Sequence, residues 1–193
     1  MSTSLDPAFN KFPRLETERL ILREITDDDA PALFGALSDF EWLRLWGFPV
    51  HKTVEDTRAW IASLKQAYKD RTQVRWGICL KGNDTPIGSA GFYRFMPHHF
   101  RAEITYEQAR HASGQGYMTE ALKAIVRFGF EQLDLHSIEA GIDPEHPASI
   151  RVAKRLGMQQ EGYLHQNYFF QGRFYDTVLF TLLSGRPATR TTG

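Results

Sequence analysis

Apolar and polar positions alternate along the chain with two different periods, and the switches between them mark the elements. Leu20 and Leu22 alternate with Arg19, Ile21 and Arg23, so residues 15–25 read as a first strand with mixed faces. Thr26 or Asp27 then precedes an acidic first turn with Pro31, and Ala32, Leu33, Ala36 and Leu37 supply a helical stripe. Residues 40–50 are crowded with aromatics and fit no regular element. Thr53 with Asp56 resembles a capping box ahead of Trp60, Ile61, Leu64 and Tyr68 at helical spacing.

Residues 74–80, 87–95 and 101–106 read as three short strands of an antiparallel meander. The clearest helix falls over 117–133, where Met118, Ala121, Leu122, Ile125, Val126 and Phe130 share one face. A strand at 137–143 follows, then a short helix at 149–156 ended by Gly157. Residues 158–183 are strand-like, with Gln171-Gly172 as a hairpin turn. The expected organisation is a disordered or loosely docked arm at 1–14, one mixed α/β domain at 15–184, and a frayed tail at 185–193.

Composition narrows the function by exclusion. Among 193 residues, 23 Lys plus Arg balance 23 Asp plus Glu, which disfavours a broad basic surface for nucleic acid. A single cysteine, Cys79, builds no disulfide framework, and no Cys/His cluster has zinc spacing, so no metal is expected. Cys79 lies in an apolar strand and reads as a buried, inert thiol. No signal peptide pattern and no membrane-length apolar run is present, so a soluble cytoplasmic protein is expected.

The segment from Ala109 to Ala121 runs from strand through loop to helix, with Gly114 and Gly116 just before the helix. A helix start presents unpaired N–H groups and the positive end of the macrodipole, and glycines let an anion approach the backbone. Main-chain donors can then hold a phosphate without a lysine. Neither the Walker pattern nor the dinucleotide glycine fingerprint is present. A plain glycine turn remains the alternative.

His111-Ala112-Ser113-Gly114-Gln115-Gly116 resembles the coenzyme A motif of the GNAT superfamily of N-acetyltransferases, with His111 in place of Gln or Arg. The likeness spans about residues 15–183. Residues 15–23, 102–106, 116–122, 144–149, 156–158 and 172–176 are similar to the branch that acetylates N-terminal alanine or serine of ribosomal proteins. His146 and Met158 stand where that branch has Asn and Phe.

The resemblance implies a mixed, mostly antiparallel seven-stranded sheet, splayed between its fourth and fifth strands and flanked by about four helices. It implies acetyl transfer from acetyl-coenzyme A to a primary amine, foremost a protein or peptide N-terminus. A small amine (polyamine, amino-acid analogue or antibiotic), a catalytically weak coenzyme A-binding regulatory module, and a nucleotide-binding protein stay as alternatives. No nucleic acid or membrane partner is implied, and the chain is a monomer or homodimer. Gln108, Ala109 and Arg110 would pair with the pantetheine, and Ser113, Gly114, Gln115, Gly116 and Tyr117 with the pyrophosphate. His146 and Ser149 would flank the thiol.

Aminolysis of a thioester needs a proton acceptor for the amine, a donor for the oxyanion, and a donor near the sulfur. A fourth-strand amide near residues 106–108 is the implied oxyanion donor. Glu103 is the first candidate base, against a salt-bridged strand carboxylate, and Glu107 is second on the same face. The helix-four tyrosine acid of many members falls at Ala153, whereas Ser149 matches the branch's serine, against a plain helix cap. Trp42, Trp46, Tyr93 and Tyr106 are candidates for the acceptor site, against core packing.

Overall fold

The computed structural model describes residues 4–43, 45 and 49–186. Within them one sheet contains β1 (Leu15–Glu16), β2 (Leu20–Glu24), β3 (Gln73–Leu80), β4 (Pro86–Met96), β5 (Arg101–Gln108), β6 (Ser137–Ile142), β7 (Gln159–Phe170) and β8 (Arg173–Leu183). Their spatial order is β1-β2-β3-β4-β5-β6-β8-β7. Every neighbouring pair is antiparallel except β5 and β6. The helices are α1 (Asp6–Phe9), α2 (Ala30–Leu37), α3 (Phe40–Leu43), α4 (Val54–Lys69), α5 (Tyr117–Glu131) and α6 (Pro147–Arg155). The mixed, mostly antiparallel class matches the expectation.

The eighth strand comes from the stretch expected as one strand over 15–25. Thr17 N–H donates to the Leu20 carbonyl and its hydroxyl accepts from Leu20 N–H, both at 3.0 Å. That closes a turn, and β1 folds back on β2. α4 starts where the sequence placed it, with Asp56 N–H donating to Thr53 Oγ1 at 3.2 Å and Thr53 N–H returning to Asp56 at 2.9 Å. Phe40–Leu43, expected to be irregular, makes a single helical turn.

The N-terminal segment is not a loose arm from residue 4 onward. Ala8 is fully buried, and the Phe9 and Phe12 rings each lie 5.3 Å from Tyr68. The Pro13 carbonyl accepts the Trp76 indole N–H at 2.5 Å. These aromatics bury apolar area without any period, which is why the pattern concealed the docking.

Alternation along β3 distributes the two faces of the sheet. Val74, Trp76 and Ile78 join the main core with Leu122 and Ile125 of α5. Ile25, Leu33, Leu37, Leu43 and Ile61 form a second core around α2 and α4. Arg75, on the opposite side of β3 from Trp76, lies 5.4 Å from the Trp60 ring of α4.

Candidate active site

β5 and β6 pair only from Arg101↔Ser137 to Glu103↔Glu139. Beyond that point β5 stays on β4 as far as Gln108, while β6 stays on β8. The strands therefore diverge into a wedge of about 140 Å³ lined by Tyr93, Thr105, Tyr106, Asp143, His146 and Ser149, among others. This is the splay expected between the fourth and fifth strands, numbered here as β5 and β6 because β1 is extra.

Ala109 N–H donates to the Ile87 carbonyl at 2.9 Å, and Gly88 faces Gln108. Antiparallel bonding alternates along a strand, so the main-chain groups of Tyr106 and Gln108 point away from β4, toward the wedge side. Ala109 is thus turned the wrong way for a ligand in the gap. The Trp42 indole N–H donates to the Gln108 carbonyl at 2.6 Å. Arg110 lies 5.5 Å from the Trp42 ring and pairs with Asp39 at 2.9 Å. Trp42, expected at the acceptor, braces the end of β5 through its bond to Gln108. Trp46 lies outside the described residues.

After β5 the chain makes a short turn at Arg110–Ala112, and Ser113 N–H is used within it, donating to the Arg110 carbonyl at 3.1 Å. Gly114 and Gly116 follow with φ of 79° and 80°, a left-handed backbone that disfavours any side chain. A Cβ on Gly114 would meet nothing within 4 Å, so backbone conformation rather than crowding demands glycine there. Gln115 Nε2–H donates to the His111 carbonyl at 3.3 Å. Gly116 caps the N-terminus of α5.

Arg19 was not among the sequence candidates, yet it borders this loop. Its guanidinium donates to the Gln115 carbonyl at 3.1 Å and to Glu120 at 2.7 Å, and lies 4.6 Å from the Tyr117 ring. Burial works against the Glu120 charge, but bonds from Thr17 and Arg19 hold its carboxyl below the ordinary range. The pair fixes β1–β2 to the first turn of α5 and offsets the acidic charge at the helix start.

The two candidate carboxylates have different surroundings. Glu107 is 1% exposed, paired with the buried Arg75 guanidinium and bonded by the Ser89 hydroxyl. Glu103 lines a cleft of about 600 Å³ together with Tyr93, Thr105, Asp143, Tyr168 and Tyr175. Among the described residues its one ion pair is with Arg94, at 3.3 Å, and the Arg94 side chain is 70% exposed. Such a pair binds weakly and opens easily. Burial, then the Glu103 hydrogen bond, push the Tyr93 hydroxyl well above its usual range. The far wall is the β7–β8 hairpin.

Ser149 does not cap α6; His146 does, its Nδ1 accepting from Ser149 N–H at 3.5 Å. Burial, then the charge of Arg151, lowers the His146 pKa, which favours the neutral ring that this cap requires. The Ser149 hydroxyl bonds the Tyr106 phenol at 2.6 Å. Tyr106 is therefore on the α6 side of the wedge. Ala153, where the helix-four tyrosine would stand, is buried at 1% exposure.

A strand edge running toward the N-terminus of a long helix forms a class of site suited to an extended ligand with an anionic end. A model of the acetyltransferase (GNAT) domain matches residues 19–159. An uncharacterized N-acetyltransferase of Bacillus subtilis, YoaA, is 35% identical over 175 residues, covering 91% of this chain and 99% of its own. The [ribosomal protein uS5]-alanine N-acetyltransferase of Escherichia coli is 28% identical over 175 residues, with 88% of this chain and 90% of its own covered. The fold of RimL, a ribosomal L7/L12 alpha-N-protein acetyltransferase solved with coenzyme A, superposes with a TM-score of 0.79 at 22% identity, over 89% of this chain and 98% of that one. The chain belongs to the GNAT acetyltransferase family and is an N-acetyltransferase.

Proposed function

We propose that the protein moves an acetyl group from acetyl-coenzyme A to the primary amine of a peptide N-terminus. One arrangement carries this reading: β5 holds Glu103 at its last pairing with β6 and from there runs unpaired on that side toward the glycine-bearing start of α5. The coenzyme would supply the acetyl group as a thioester. The amides around Gly114–Tyr117 would hold its pyrophosphate, with Arg19 beside them, and Gln108 would border its extended arm. Glu103 would accept the amine proton from within the open cleft. The Tyr106 main-chain N–H, on the wedge side of β5, would donate to negative charge developing on a carbonyl oxygen. Ser149 would donate a hydrogen bond at the sulfur end.

Asp143 and Asp176, with the aromatic wall of Tyr168, Phe170 and Tyr175, give the same cleft an affinity for a cationic amine of any kind. The test is therefore a panel. Purified protein with acetyl-coenzyme A is given short peptides beginning with alanine or serine, polyamines and amino-acid analogues, and thiol release is measured. Peptides should be turned over fastest. Turnover confined to polyamines would transfer the reading to small amines, and release with none would leave a coenzyme-binding module.

The phosphate cradle has its own test. Gly114→Ala should weaken coenzyme A binding about tenfold by calorimetry, because alanine disfavours the left-handed backbone by about 1–2 kcal/mol, the free loop relaxes out of it, and binding must restore it. Gly35→Ala should leave affinity unchanged, as its Cβ also meets nothing within 4 Å and it lies in α2. Equal affinities for both variants would remove the cradle from Gly114.

A further inference from the structure

The wedge contains a contact that the transfer reaction, as outlined, does not use. The Tyr106 phenol lies 2.6 Å from Ser149 Oγ and 3.4 Å from the Ser149 carbonyl. Both side chains line the wedge. We infer that Tyr106 is a positioning residue that aims the Ser149 hydroxyl proton into the wedge, toward the sulfur of the departing coenzyme. This inference rests on the acetyl-transfer reading.

The direction of the bond follows from acidity. A phenol is a much stronger acid than an aliphatic alcohol, so in a short bond between them the phenol donates and the alcohol accepts. The contact to the hydroxyl is much shorter than that to the carbonyl, so the phenol's partner is Oγ, and the difference in acidity assigns Oγ the accepting role. Ser149 then keeps its own proton on the side away from Tyr106. Its backbone N–H is directed to His146 Nδ1, so the residue is held from two sides. A serine early in a helix otherwise rotates among local backbone partners. Here the phenol occupies one lone pair and restricts that rotation.

Magnitudes decide against Tyr106 as the acid itself. Burial pushes its hydroxyl up to about 12, offset in part by Ser149. A thiol ionises near 8.5, so full transfer of the phenol proton to a thiolate would be uphill by a factor of roughly a thousand. Tyr106 therefore keeps its proton. In the transfer step the amine nitrogen forms a bond to the carbonyl carbon and the carbon–sulfur bond breaks. The electron pair leaves on sulfur, and the amine proton passes to Glu103. Ser149 donates one hydrogen bond to that sulfur, and Tyr106 keeps the donor aimed.

The test uses coenzyme A itself bound to the protein, with its thiolate followed by ultraviolet absorbance as pH rises. Cys79 does not interfere, because burial pushes this one protein thiol up to about 11. The bound coenzyme thiol should ionise below the free coenzyme's pKa. Ser149→Ala should raise it by a roughly tenfold loss of thiolate fraction, the scale of one hydrogen bond to a charged group. Tyr106→Phe should raise it by a similar amount, and the double variant no further than Ser149→Ala. A Tyr106 that only packs would lower the melting temperature and leave the thiol where it was. An unchanged thiol in Tyr106→Phe, or additive effects in the double variant, overturns the inference. If coenzyme A does not bind the wild-type protein in calorimetry, the acetyl-transfer reading itself fails, which is a distinct result.

Discussion

Glu103→Gln is expected to lower turnover by roughly two to three orders of magnitude, the usual effect of removing a general base. Coenzyme A affinity should stay within about twofold, because Glu103 lies near the start of β5 and the glycine loop beyond its end, and such separated sites act independently. Glutamine keeps the length of the side chain and can still meet Tyr93 and Arg94, but it accepts no proton at neutral pH. Steady-state rates with the best peptide of the panel, beside calorimetry with coenzyme A, give both quantities. A loss of less than about tenfold would reduce Glu103 to a strand carboxylate balanced by Arg94.

Glu107→Gln is the informative contrast. It leaves the Arg75 guanidinium buried beside a neutral amide, a change that costs about 3–5 kcal/mol. Its damage should appear as lost stability, and at temperatures where it remains folded it should retain more turnover than Glu103→Gln.

The second large effect concerns folding. An ideal Cβ on Gly91 would sit 2.0 Å from the Val74 carbonyl oxygen and 2.6 Å from the Arg75 Cα. Both are backbone atoms of β3, so no rotamer change relieves the clash. Gly91 opposes Arg75 in the β3–β4 pairing, and its substitution would separate those strands. Gly91→Ala should lose at least about 3 kcal/mol, beyond the ordinary range for overpacking. The midpoint of urea unfolding measures it. Gly35→Ala, in the open interior of α2, should instead gain about 0.5–1 kcal/mol from helix propensity. If the two variants unfolded at similar urea concentrations, β3 and β4 would not be as close as described.

The sequence carried the elements whose periods extend far enough to be seen. The long apolar face of α5 and the capping box of α4 were both legible, and so was the turn at Gln171-Gly172, with φ of 47° and 82°. The break between β1 and β2 was not, because it depends on one threonine side chain replacing a ladder bond. Alternation placed Glu103 and Glu107 on one face but could not rank them. Their difference comes from Arg75 of β3 and Ser89 of β4, which reach Glu107 across the sheet. Ser149 read equally well as a cap because Pro147 and His146 occupy the same helix start. Only the packing of α6 against β5 shows that His146 takes the cap and releases Ser149 to Tyr106.

The β7–β8 hairpin leaves almost all of β7 exposed, and at its tip the Phe169 and Phe174 rings meet at a tilted angle, 59% and 58% exposed. Tyr168, Phe170 and Tyr175 face the cleft from the inner side. Residues with so little burial contribute little to the global fold, so replacing them is thermodynamically inexpensive. The β4–β5 ladder carries main-core residues such as Ala90, Phe92, Ala102 and Ile104 and tolerates far less. The two halves of the site are thus under unequal mutational constraint. If the proposed acceptor cleft holds, drift at the hairpin tip would retune which amine is accepted while the donor end stays fixed, and one scaffold would diversify its acceptors without refolding.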